Sequence, residues 1–173
     1  MSFLGERSES SQSRVSYRTL DRQPIRIRIE DLGFSAKTTY GLLALLELAG
    51  LQASGERLQV GEIAARQSIP ERYLEQMMSA LRRAGLVRSV RGARGGYLLA
   101  RAAGDISVSD VIRCLEGEAN RPLANEGSSE LQAINSLANE LSLQRDARLS
   151  RTTLGDLLAE RDSRIANQAM YFI

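Results

Sequence analysis

Apolar positions return every three to four residues along most of this chain, and one region breaks that rhythm with short strand-like runs. The first periodic stretch predicts a helix over 36–49, with Ser35 as its N-cap and Tyr40, Leu43, Ala44, Leu46 and Leu48 on its apolar face. Gly50 closes it. A polar loop at 52–56 leads to a brief strand at 58–60 and a short helix at 61–67, which carries Ile63, Ala64 and Ala65 as small packing residues. Ser68-Ile69-Pro70 is a turn, because proline is tolerated at the start of the next helix. That helix, 70–84, has an apolar stripe at Leu74, Met77, Met78 and Leu81 and ends at Gly85; its other face offers Arg72, Glu75, Gln76, Ser79 and Arg83. Segments 86–90 and 97–100 then read as strands. They are joined by Arg91-Gly92-Ala93-Arg94-Gly95-Gly96, whose glycines supply the positive φ that a tight hairpin needs.

Farther on, 128–150 has the length of one long helix. Leu131, Ile134, Ala138 and Leu141 form a seam with alternating three- and four-residue steps, flanked by Leu137. Such a stripe on an acidic segment calls for a partner, either a second copy or the first helix of the same chain. Thr152 or Thr153 caps a last helix to about residue 166, and the apolar tail Ala169-Met170-Tyr171-Phe172-Ile173 follows. Residues 1–33 are rich in Ser and Arg; only Ile25, Ile27 and Ile29 alternate, so the segment reads as a disordered N-terminal extension.

The predicted fold class is mainly α with a small β-hairpin wing: a winged helix-turn-helix domain plus a long C-terminal dimerisation helix. Its divisions are 1–33 (extension), 34–117 (winged domain), 118–127 (linker) and 128–173 (helical dimerisation region and tail). A short helix, a tight turn and a longer helix form the arrangement whose second helix enters the DNA major groove. An arginine-tipped turn beside it suits the narrow minor groove, where negative potential attracts arginine. A surface hairpin that is arginine-rich by chance is the bland alternative.

Charge supports the first reading. The 173-residue chain carries only +2 overall, but residues 34–101 hold 10 basic and 5 acidic groups, and the remainder after them 7 and 11. Between Gln76 and Gly104 stand six arginines (Arg82, Arg83, Arg88, Arg91, Arg94 and Arg101) and no acid. Arginine makes up all the cations but Lys37; its planar fork suits phosphates and guanine edges, although genomic base composition produces the same bias. There is no histidine and one cysteine, Cys114, so the commonest general base is missing and a four-thiolate metal site within one chain is excluded. The wing glycines do not follow the G-x-G-x-x-G spacing, and a strand follows them where a dinucleotide site needs a helix. The longest apolar run, 42–51, is interrupted by Glu47 and too short to span a bilayer. No signal peptide is recognisable at the N-terminus, so a cytoplasmic location is expected.

Four segments carry a family resemblance: Phe34-Ser-Ala-Lys-Thr-Thr-Tyr-Gly, Ala64-Ala-Arg-Gln-Ser-Ile-Pro-Glu-Arg-Tyr-Leu-Glu-Gln-Met, Leu81-Arg-Arg-Ala-Gly-Leu-Val and Arg91-Gly-Ala-Arg-Gly-Gly-Tyr-Leu-Leu-Ala. Together they resemble the bacterial Rrf-two family of winged helix-turn-helix transcription regulators, over about 34–117 and more loosely to 158. The resemblance implies that Arg72, Tyr73, Glu75 and Gln76 face DNA from the recognition helix and that Arg91 and Arg94 do so from the wing; Arg83, on the polar face at the end of the same helix, is a further DNA-binding candidate. Ser35, Lys37 and Tyr40 match a first-helix start that helps hold the phosphate backbone. Tyr73 equally suits packing between helices, and Glu75 a solvated charge.

Cluster-bearing members of that family place three cysteines after the fourth helix. Here 117–130 holds no thiol and no imidazole, and Cys114 sits among Val111, Ile112 and Leu115 as a buried small residue. No cofactor and no metal are expected. The resulting reading is a homodimeric, non-enzymatic regulator of double-stranded DNA, gated by a small-molecule effector or a protein partner acting through the acidic C-terminal half, with no membrane contact. The alternative is a winged-helix interaction module that no longer binds DNA.

Overall fold

The computed structural model describes residues 33–92, 94–117, 123, 124 and 126–170. The expected N-terminal extension up to residue 32, most of the linker, Ala93 in the wing turn and the last three tail residues lie outside the described residues.

Helix α1 (Ala36–Gly50) begins where the Ser35 hydroxyl accepts the Thr38 N–H at 3.1 Å. Its buried side is Thr38, Gly41, Leu42, Ala44, Leu45, Leu48 and Ala49. The expected face is thus rotated: Tyr40, Leu43 and Leu46 are only half-buried. This helix is apolar around most of its circumference, so spacing alone does not select the inward side. It lies at the centre, touching the helix-turn-helix, the wing and the C-terminal helices.

Helix α2 (Val60–Gln67) starts one residue early, and the Glu62 carboxylate accepts the Gln59 N–H at 2.6 Å. Ser68 turns left-handed at φ 53°, after which α3 (Glu71–Arg83) buries Leu74, Met77, Met78 and Leu81, the stripe expected from spacing. Gly85 at φ 69° ends α3; the Leu86 N–H reaches back to the Leu81 carbonyl at 3.0 Å and the Gly85 N–H to the Arg82 carbonyl at 3.1 Å.

Strands β1 (Val87–Val90) and β2 (Gly96–Leu99) pair antiparallel in the register Val87↔Leu99 to Val90↔Gly96. Of the strand expected at 58–60 only Leu58 pairs, by bridging Tyr97 on the outer edge of β2, while Val60 already belongs to α2. A 3-10 turn (Ala103–Asp105) leads to α4 (Val108–Glu116), whose cap Ser107 accepts the Asp110 N–H while the Asp110 carboxylate accepts the Ser107 N–H.

Helix α5 (Ser129–Arg151) is capped by the Ser128 hydroxyl and, at 23 residues, is about 35 Å long. None of its residues is buried. Helix α6 (Leu154–Met170) is capped by Thr153 and runs four residues past the expected end. Its first residue, Leu154, is fully buried in the same core as Leu45, Leu74, Met78, Ile106 and Val111. The core therefore spans both sides of the boundary expected at 128.

Candidate nucleic-acid interface

The solvent face of α3 follows from its inward stripe. With Leu74, Met77, Met78 and Leu81 turned in, Arg72, Glu75, Gln76 and Arg83 are left exposed on one helix. Tyr73 is half-buried and meets Tyr40 edge to face, with ring centroids 6.0 Å apart and planes at 82°. This contact ties α1 to the first turn of α3, which is the packing role the sequence left open for Tyr73. Arg83 bonds the Ser79 hydroxyl at 3.3 Å, and Arg82 reaches Ser89 on β1 at 3.5 Å.

The wing turn is shaped by what cannot fit there. A Cβ on Gly95 would come within 2.5 Å of the Val90 carbonyl oxygen and 2.8 Å of that of Gly92. One on Gly96, at φ 155°, would stand 2.7 Å from the Leu58 carbonyl oxygen. The tight turn leaves Arg91 and Arg94 exposed at its two ends. Arg101 does not join them, because it turns toward Asp110 on α4 at 3.7 Å.

Ser35 and Lys37 also find partners within the chain. The Ser35 hydroxyl donates to Glu116 Oε1 at 2.5 Å, Thr38 donates to the same oxygen, and Lys37 Nζ donates to the Leu115 carbonyl. The end of α4 thus occupies the donors at the start of α1. The Ser35 and Thr38 hydroxyls hold the Glu116 carboxyl below the usual carboxylate range, helped by Arg145 and Lys37. Arg145, from α5, also donates to the Gly33 carbonyl at 3.1 Å and stacks 5.8 Å from the Phe34 ring centre.

Two residues beside these sites had no part in the sequence reading. Glu116 carries no signal by itself, since its acceptor role depends on α4 ending against α1. Arg57 falls between the polar loop and the strand expected from the sequence, yet its guanidinium donates to the Arg94 carbonyl at 3.4 Å.

Cys114 is half-buried on α4 near Arg101, Asp110 and Arg113. Burial pushes its thiol up, although Lys37 and Arg83 pull the other way. Among the described residues no group of three or more His, Cys, Asp or Glu is placed to hold a metal. With a single thiol and no imidazole in the whole chain, these residues do not fit an iron–sulfur cluster.

A family profile described as "Rrf2: Iron-dependent Transcriptional regulator" matches residues 34–160. The chain is 45% identical over 96 residues to the HTH-type transcriptional regulator IscR of Cereibacter sphaeroides, covering 55% of this chain and 62% of that protein. It is 46% identical over 83 residues to CymR of Bacillus subtilis, covering 48% and 59%. The chain thus spans about six-tenths of the length of these relatives. IscR of Vibrio atlanticus matches more broadly, at 34% over 133 residues, 74% of this chain and 76% of that one. Among solved structures, T. potens IscR superposes with a TM-score of 0.63 at 36% identity, covering 76% of this chain and 90% of that one. B. subtilis CymR, titled the global cysteine regulator, gives 0.58 at 34%, covering 75% and 98%. No helix among the described residues is long and apolar enough to cross a membrane. A profile match over most of the chain and a shared winged fold lead to one conclusion: the chain belongs to the Rrf2 family.

Proposed function

We propose that this protein is a DNA-binding transcription regulator that acts as a homodimer on an inverted-repeat operator, without an enzymatic step. The observation that carries this reading is the exposed row Arg72, Glu75 and Gln76 on α3 beside a glycine turn tipped by Arg91 and Arg94. Gln76 has the amide geometry to read adenine, Arg72 the fork for guanine or phosphate, and Glu75 accepts from cytosine and repels other approaches. Arg91 and Arg94 enter the adjoining minor groove.

The dimer reading rests on α5, where Leu131, Ile134 and Leu141 are 46%, 64% and 57% exposed and Ala138 is half-exposed on the same seam. Pairing α5 with its twin removes that apolar surface from water and sets two recognition helices about one helical turn, roughly 34 Å, apart. In this reading residues 34–117 read DNA, 118–127 link, and 128–173 pair the subunits in the cytoplasm. Sensing proceeds without an iron–sulfur cluster, through a small-molecule effector or a protein partner at the C-terminal half. Purified protein with visible absorbance and bound iron and sulfide would overturn that part.

Selecting bound sites from random duplex DNA tests the central claim. An inverted repeat is expected, with affinity falling steeply as salt rises because Lys and Arg displace condensed counterions. Binding that is absent or independent of salt would support the interaction-module alternative.

A further inference from the structure

Beside the wing lies an open cleft of about 410 Å³, lined by the 55–59 loop, Glu62 and Arg66 of α2, and Arg94 and Gly95 of the wing turn. Its three cations differ in how they are engaged. Arg66 is paired with Glu47 on α1 at 3.1 Å. Arg94 is exposed at the wing turn, as the interface requires. Arg57 is also exposed, and its Nη1 donates to the Arg94 carbonyl at 3.4 Å. A carbonyl acceptor leaves a guanidinium's charge uncompensated, and most of its five N–H donors remain for another partner. Two carboxylates border the cleft. Glu62 caps α2 through the Gln59 N–H at 2.6 Å, and Glu56, the residue before Arg57, lines the same cleft.

The backbone around Arg57 holds it there. Leu58 exchanges both hydrogen bonds with Tyr97 on β2, at 3.2 and 2.8 Å. A Cβ on Gly96 would come within 3.3 Å of Arg57 Cβ, so the bare glycine makes room for the arginine stem alongside the wing. Arg57 is therefore anchored to the outer edge of the ribbon and braces its turn.

We propose that Arg57 is a third DNA-contacting arginine of the wing: it positions the turn through the Arg94 carbonyl and binds a backbone phosphate on the wing's outer flank. The inference rests on the DNA-binding reading above and adds a residue from outside the acid-free stretch. A phosphate contact carries no sequence information, so Arg57 contributes affinity and register in place of base choice.

The test is a salt titration of binding to the selected duplex and to a mixed-sequence duplex, comparing wild type with Arg57→Ala, Arg57→Lys and Arg164→Ala. Arg164 pairs with Glu160 on α6 at 2.8 Å and serves as a control for the loss of one charge elsewhere. Arg57→Ala is expected to weaken both duplexes by a similar factor and to lower the log–log salt slope by about 0.9 for each subunit's Arg57, about 1.8 for the dimer. Arg57→Lys should keep the slope, and Arg164→Ala should keep both slope and affinity. An Arg57→Ala variant with wild-type affinity and slope overturns the proposal. Weaker binding with an unchanged slope overturns the phosphate contact, since bracing alone releases no counterion. If wild type itself binds neither duplex, it is the DNA-binding reading that fails.

Discussion

At Glu116 one carboxylate oxygen accepts from two hydroxyls, Ser35 and Thr38, and the residue before it accepts from Lys37. Thr38 is fully buried, so its hydroxyl has no water to fall back on. Replacing Glu116 by Ala strands that hydroxyl, at a cost of about 1–3 kcal/mol for an unmade buried hydrogen bond. Urea unfolding at neutral pH should show a lower midpoint with an unchanged slope. The pH dependence has a definite sign. A carboxyl held below its ordinary value stabilises the fold above that value, and the contribution is lost as pH falls through the folded-state value. The gap between wild type and Glu116→Ala should therefore be full near neutrality and shrink only below about pH 4. A gap that persists unchanged into stronger acid would argue against the carboxylate. The family resemblance assigns Ser35 and Lys37 to the phosphate backbone, and the contacts with Glu116 and Leu115 give the same side chains a second setting within the chain. Nothing local to 35–38 reveals that residue 116 ends a helix beside them.

Among the elements, α3 and α5 contrast most. Both carry an apolar stripe legible from spacing, but Leu74, Met77, Met78 and Leu81 are buried within the chain, while Leu131, Ile134 and Leu141 are exposed. Spacing reports which side of a helix is apolar; it does not report what covers that side. If the α5 stripe is covered by a second copy, a charge placed in it costs far more than the same charge on a solvated face. Ile134→Glu should convert a dimer into a monomer in sedimentation velocity and lower affinity for the full inverted repeat much more than for a half-site. A dimer that survives would remove α5 from the interface. The wing shows the same limit in β structure, because its two main strands were legible within a residue at each end, whereas Leu58 as an edge partner of Tyr97 was reduced to one bridge.

At the scale of the molecule, α1 is the element on which the winged domain and α6 both rest. Leu45 is fully buried there, as are Leu74 on α3 and Leu154 at the start of α6, and all belong to one core. Leu45→Ala removes side-chain contacts and leaves a cavity, a change that costs about 2–5 kcal/mol. Because α6 shares that core, thermal unfolding should shift as a single transition, lower by several degrees. Two separate transitions, one unmoved, would mean that α6 folds apart from the winged domain.

The sequence by itself determined the helix-turn-helix order, the cap at Ser35, the inward stripe of α3 and the glycine turn of the wing. Each depends on residues within a few positions of one another, where propensity, capping and steric exclusion act directly. It also excluded a four-thiolate metal site within one chain by composition. Only the tertiary structure decided which side of the almost uniformly apolar α1 turns inward, that Ser35, Thr38 and Lys37 meet the end of α4, that Arg57 stands beside Arg94, and that Leu154 joins the core. The hydrogen bonds among them join residues from 37 to 81 positions apart, and nothing in local spacing encodes a partner at that distance. Such pairs form only when helices already built by local rules pack together and bury their shared apolar surface.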